Sequence, residues 1–397
     1  MTKPNKQSAK MTSRRKPGRI LLIVGIFAAI VILVIVFGSE GLPENLVGVA
    51  GLNLTVEPTD EPTAQATTDA TAAPTAVRTP TATPYPAPSG RIVFTSRVGD
   101  NAEIFVINAD GTGLLQITNS PEPDQIPIWQ PFSDLILFSS NRSGSWELYL
   151  VYASGGTPFQ ITEMQGEENQ VVFSQNGNLV AFESFQDGNW EIYYMEENGD
   201  NPVRLTNDPA GDFNPTWSPN GRQIAFASNR AGNSDIFVQN LAGGEPRQLT
   251  DNPAPDSNPV WSPKGDKIAF QSWRDSNPEI YVINSDGSEL TRITSEFHDD
   301  GIPVWSPDGT KIAFRSNRDG DWDVYVVNAD GSNLIQITDN DSYDGDPSWS
   351  PDGNYLVFQS QQAGNDELFI AQSEGGSIMR LTNLDDSIDS FPFWAPN

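Results

Sequence analysis

The chain has 397 residues, with 23 Lys and Arg against 52 Asp and Glu, a net charge of −29, no cysteine and one histidine. Disulfide frameworks, Cys-based zinc sites, cysteine nucleophiles and cysteine lipidation are therefore excluded. A surface this acidic repels phosphate, so nucleic acid is not an expected partner.

Residues 1–19 carry seven basic side chains and no acid, and Ile20 to Phe37 then form an unbroken apolar run. As a helix this run spans roughly 27 Å, close to the ~30 Å hydrocarbon core of a bilayer. The basic flank should stay in the cytoplasm, which places everything after Phe37 outside. A cleaved signal peptide is the alternative, but Gly38-Ser39-Glu40-Gly41-Leu42-Pro43 makes a poor cleavage site, so an uncleaved signal anchor is favoured. Residues 38–90 read as a linker. Within it, Thr55 to Pro88 holds ten Thr and seven Pro, too little apolar bulk to fold and enough proline for extended geometry.

From residue 91 the sequence repeats. Phenylalanine recurs at a constant step, at Phe94, Phe138, Phe182, Phe226, Phe270, Phe314 and Phe358. Each ends a short apolar run. Further on in each repeat, an acid precedes an aliphatic and an aromatic residue, as in Glu191-Ile192-Tyr193 and Asp323-Val324-Tyr325. A glycine turn follows, then a third run ending in Leu/Ile-Thr, then a Pro-x-Trp segment around Trp129, Trp217, Trp261, Trp305, Trp349 and Trp394, with Phe173 in the Trp place once. Four short strands per ~44 residues is the pattern of a propeller blade. Seven copies predict an all-β, seven-bladed propeller over residues 91–397. Proline before the Trp demands a strand that need not donate to a ladder, such as the innermost one. The array opens with the second strand of a blade and ends on an orphan first strand, Phe391-Pro392-Phe393-Trp394. Docking of that C-terminal strand onto residues 91–118 should close the ring.

The order Trp-Ser-Pro-Asp-Gly, Ile-Ala-Phe-x-Ser-x-Arg, Asp/Glu-Ile-Tyr-Val, Asp-Gly and Leu/Ile-Thr resembles the repeats of TolB-type propellers, best at Trp305–Gly309 and Trp349–Gly353. The resemblance covers residues 91–397. TolB proteins also carry an N-terminal α/β domain, and here residues 1–90 hold the apolar run and linker in its place. Similar propellers precede the hydrolase domain of prolyl-oligopeptidase-like enzymes.

Catalytic motifs are scarce. There is no Gly-x-Ser-x-Gly elbow and no phosphate loop, and His298 sits in an acidic loop that reads as solvated. The most ordered polar feature is a carboxylate shortly before each innermost-strand aromatic: Asp124, Glu168, Asp212, Asp256, Asp300, Asp344 and Asp389. These acids are expected to ring one mouth of the channel, near Arg97, Arg142, Arg230, Arg274 and Arg318. Either they fix loop geometry through Arg pairs, or they form an acidic funnel for a cation or basic peptide. Gln186 and Gln362 break the Arg series, and Asp212 and Asp389 are expected to be the less neutralised acids. Trp146, Trp190, Trp273 and Trp322 lie near the same loops, as inter-blade packing or as contacts for a glycan or partner. No cofactor is expected, with calcium the one ion these oxygen ligands would suit. The expectation is a membrane-anchored, extracytoplasmic, monomeric propeller that binds a protein, peptide or envelope glycan on the loop face without catalysis. A metal-dependent hydrolase or lyase, or a purely structural surface component, is the alternative.

Overall fold

The computed structural model describes residues 86–396 apart from Gln165, Asp187 and Asp385. The basic tail, the apolar run 20–37 and the linker up to residue 85 lie outside the described residues. Among the described residues no helix is long and apolar enough to cross a membrane.

Seven four-stranded antiparallel sheets form a propeller. Blade 4 is typical, with strands Asp212–Trp217, Gln223–Ser228, Asp235–Asn240 and Arg247–Gln248 from the axis outward. Blades 2 to 7 are each continuous in sequence. Blade 1 is composite: Ser387–Trp394 supplies the innermost strand to Arg91–Val98, Asn101–Asn108 and Leu115–Gln116. The C-terminal strand thus closes the ring, as the orphan strand required, and only full closure removes the open ends of such an array.

The core lies between sheets. All seven repeat phenylalanines are fully buried, and each packs on the aromatic residue of the adjacent strand, as Phe226 on Phe237 at 6.1 Å between centroids. The repeat Trp residues latch blade to blade. The indoles of Trp217, Trp305 and Trp349 donate to the carbonyls of Val172, Val260 and Val304 in the preceding blade at 3.0–3.1 Å.

Proline is tolerated in the innermost strand for two reasons. The strand is an edge, and it is also bulged. In blade 4 the register jumps from Phe213↔Ala227 to Thr216↔Ala225, leaving Asn214 and Pro215 outside the ladder. A like shift recurs in every blade. Each bulge puts one non-glycine residue at positive φ: Ile126, Gln170, Asn214, Asn258, Ile302, Asp346 and Phe391, at +47° to +62°. Asn and Asp take this conformation readily, whereas Ile at +62° is strained. A bulge re-aims side chains, and here it does so once per blade around the axis.

Candidate functional site

The two ends of the propeller differ in chemistry. One end, the loop face, is where innermost strands begin and third strands begin. The other, the turn face, carries the Trp-Ser-Pro turns and the glycine hairpins.

On the loop face the seven predicted carboxylates are all buried, at 0–1% exposure, so they stand inside the blade junctions and not on an open rim. Four form ion pairs within their own blade: Arg142–Asp124 at 2.6 Å, Arg230–Asp212 at 2.7 Å, Arg274–Asp256 at 2.9 Å and Arg318–Asp300 at 3.0 Å. In each case the guanidinium Nε also donates to the serine that ends the second strand, and the planar group lies over the blade's aromatic pair, as Arg274 over Tyr281 at 4.6 Å. Acid and arginine belong to one blade, the acid opening the innermost strand and the arginine following the second. This corrects two expectations. Gln186 and Gln362 leave Glu168 and Asp344 without that arginine, while Asp212 is paired. Arg97 is one position out of register, since Val98 occupies the place of Arg142. Asp389 accordingly bonds Ser387 instead, and burial pushes its carboxyl up to about 6.

Sequence reasoning marked the acids before the third-strand aromatics only as strand signals. The structure makes them a second set of buried carboxylates: Glu103, Glu147, Glu191, Asp235, Glu279, Asp323 and Glu367. Six of them accept a bond from the threonine of the Leu/Ile-Thr run, as Thr206 Oγ1 to Glu191 at 2.7 Å. That threonine in turn accepts the next backbone amide, Ile192 N, at 2.9 Å. Five of these acids meet the innermost-strand acid of the following blade, as Glu103 meets Asp124 and Glu279 meets Asp300. The recurring offset between the two acids, constant from Glu103 and Asp124 up to Asp323 and Asp344, is the signal that could have found them.

An asparagine two positions before the acid stitches five of these junctions. Asn189 Nδ2, for example, donates to Glu191 at 2.9 Å and to the Asp208 carbonyl at 2.7 Å. In blade 6 this residue is Asp321, an acceptor where the other blades place a donor. Asp319, Asp321 and Asp323 bring carboxylate oxygens within 4.8 Å of one another. Among the described residues, their hard oxygen donors suit a divalent cation. The acidic loop leading into blade 7 contributes to the same region, with Asp339 and Asp341 acting on Asp321.

The four loop-face tryptophans are half-buried. Trp190 packs on Phe185 at 5.3 Å, and Trp322 lies beneath the Arg315 guanidinium at 4.6 Å. Trp146, Trp190 and Trp322 also accept the amides of Glu168, Asp212 and Asp344 through their backbone carbonyls. His298 is exposed in the loop entering blade 6, where its carbonyl accepts from Asn277.

On the turn face the channel opens into a cavity of about 650 Å³, lined by all seven innermost strands. Its wall is proline and indole: Pro127, Pro215, Pro259, Pro303, Pro347 and Pro392, with the edges of Trp129, Trp261, Trp305, Trp349 and Trp394. The bulge residues Gln170, Asn214, Asn258, Ile302, Asp346 and Phe391 line it too. Phe132 stands at this cavity, 78% exposed and at φ +60°, in the turn where blades 3 to 7 carry a polar residue before glycine, Asn176, Asn220, Lys264, Asp308 and Asp352. An exposed aromatic side chain in a left-handed conformation is strained and unsupported by the fold. Two acids stand at the bulge ring, Glu183 behind it and Asp346 within it. Glu183 accepts the Asn214 amide at 2.6 Å, and burial pushes it up to about 8; the same cause raises Asp346 to about 7. The chain enters the ring on this face, at Ser89 and Gly90 beside Trp394. Sequence reasoning looked to the loop face for binding and missed this cavity.

A closed propeller of bulged, proline-bearing inner strands is a defined class, and the comparisons with known proteins agree with it. The TolB beta propeller domain profile matches residues 159–250, 214–301 and 297–397. The chain belongs to the TolB beta propeller domain family. No curated protein sequence matches it. Among solved structures it is similar to TolB from Acinetobacter baumannii, at 22% identity and a TM-score of 0.53, over 79% of this chain and 68% of that one. It is also similar to an oligogalacturonate lyase solved in complex with manganese, at 15% identity and 0.56, over 75% and 87%. A puromycin-hydrolyzing peptidase of Mycobacterium tuberculosis matches at 14% identity and 0.60, over 75% of this chain and 54% of that one. At these identities the likeness is one of fold.

Proposed function

We propose that this is a membrane-tethered, extracytoplasmic propeller that binds a protein partner without catalysis, taking an extended apolar peptide segment into the turn-face cavity. The observation that carries the reading is the cavity itself. Its volume falls in the ~300–1,000 Å³ range of ligand pockets, its wall is apolar, and Phe132 is held exposed beside it at a conformational cost. Proline-lined inner edges offer few amide donors, so strand addition is disfavoured and side-chain contact with rings and indoles would supply affinity. The loop-face acids serve the blade junctions in this reading. The lone histidine lies on the face opposite the cavity, which favours binding over acid–base chemistry there. Asp319, Asp321 and Asp323 are the place for calcium.

The test is site-specific photocrosslinking of the full-length protein in an envelope extract. A crosslinker at position 132 should capture a partner that one at exposed Glu163 on the loop face does not. Capture from the loop face alone, capture of glycan, or turnover of a substrate by the purified protein would each replace this reading.

A further inference from the structure

The seven blade junctions serve as controls for one another, because each has an acid at both register positions and two further positions can answer them with arginine. One position follows the second strand, and holds Arg142, Arg230, Arg274 and Arg318. The other is on the outermost strand, where Arg204, Arg292 and Arg380 pair with Glu191, Glu279 and Glu367 at 2.7–2.8 Å. Between blades 2 and 3 both positions are glutamine, Gln186 and Gln160, as they are between blades 6 and 7, where Gln362 and Gln336 stand but amides reach both acids, Gln336 donating to Asp323 and Asn340 to Asp344. Between blades 2 and 3 neither glutamine amide turns to the acids: Gln186 donates to Ser184 Oγ at 3.1 Å and Gln160 to the Thr162 carbonyl at 2.7 Å. Glu147 and Glu168 are 2% and 1% exposed. One oxygen of each is served by a hydroxyl, Ser145 to Glu147 Oε1 at 2.9 Å and Ser184 to Glu168 Oε1 at 3.0 Å. The other oxygen of each, Oε2, is buried with no donor, and the two carboxyl groups lie within hydrogen-bonding reach of each other.

Two buried acceptors that face each other with no cation between them can be satisfied by one proton. We propose that the seam between blades 2 and 3 is closed by a proton shared between Glu147 and Glu168, so that this junction, unlike the arginine-bolted ones, loosens as pH rises. Burial is the largest influence on Glu168 and pushes it up to about 8. The Glu147 carboxyl adds to that, and Glu167, exposed in the loop entering blade 3, adds further, while the Ser184 hydroxyl alone opposes them. The remaining neighbours, Ser145 before the third strand of blade 2, Gln160 on its outermost strand and Gln186 after the second strand of blade 3, are neutral. The native state then holds a proton that the unfolded chain releases near pH ~4.3. Stability is lost progressively as pH rises through that interval and levels off above about 8.

The experiment follows thermal unfolding of the full-length protein from pH 5 to 9. Glu168→Gln keeps the shape and supplies a permanent donor to Glu147. Gln186→Arg installs the bolt used by four other blades. Relative to either variant, the parent should lose roughly 5 °C in melting temperature between pH 6 and 8.5, with the gap opening steadily and then levelling. A difference infrared spectrum, parent minus Glu168→Gln at pH 7, should show the carbonyl stretch of a protonated acid. Parallel pH profiles for parent and both variants, or no protonated-acid band in the difference, overturn the proposal. If Glu168→Gln fails to fold, Gln186→Arg alone decides: a flattened profile supports the shared proton and an unchanged one refutes it.

Discussion

The indole of Trp394 donates to the carbonyl of Ser89 at 3.0 Å, joining the two ends of the ring. Around this bond Ser387–Trp394 pairs with Arg91–Val98, and the ring shuts. An array whose repeats contact only their neighbours gains its last interface from this closure, because no other strand covers the inner edge of blade 1. Removing residues 387–397 should therefore open the ring. The expected outcome is a large fall in melting temperature and new protease cleavage within residues 91–116. A truncated chain as heat-resistant as the parent would refute closure by this strand.

The arginine bolts predict a second outcome. Arg274 is 12% exposed and its partner Asp256 is fully buried. Arg274→Ala leaves a buried carboxylate without its cation, which costs on the order of 3 kcal/mol. Replacing both residues, Arg274→Met with Asp256→Asn, should recover most of that loss. Chemical denaturation of the single and double variants measures both.

Phe132 separates binding from folding. A left-handed turn suits glycine, so Phe132→Gly should leave stability within about 1 kcal/mol of the parent or above it. The same change removes the aromatic group at the cavity and should abolish partner capture there. A variant that keeps its stability and still captures its partner would count against the proposed site.

Glu183 offers a pH test on the turn-face side. Burial raises its carboxyl to about 8, and the Asn214 amide opposes the shift. A raised acid binds its proton in the native state, so its contribution is present at low pH and lost as pH rises toward about 8. Glu183→Gln keeps an acceptor for the Asn214 amide and should flatten that part of the stability profile. An unchanged slope between pH 5 and 8 in denaturant titrations would show Glu183 to be ionised.

The acidic cluster of blade 6 has its own check. Calcium should raise the melting temperature of the parent, and Asp321→Asn, which restores the residue found in five other blades, should remove that response. No shift in the parent would leave the cluster without an ion.

Read along the chain alone, the repeats specify the number of blades, the four strands in each and the closing role of Phe391–Trp394. Those features rest on local rules: regularly spaced aromatics, glycine at hairpins and proline where no ladder amide is needed. The same reading marks all seven innermost-strand acids. It does not tell which way they face, because their burial is set by the neighbouring blade and not by the strand that carries the acid. Folding in three dimensions settles that Arg230 answers Asp212 while Gln186 leaves Glu168 to Glu147. Folding also gathers seven bulged inner edges into one cavity, since convergence on an axis is a property of the closed ring and of no single repeat.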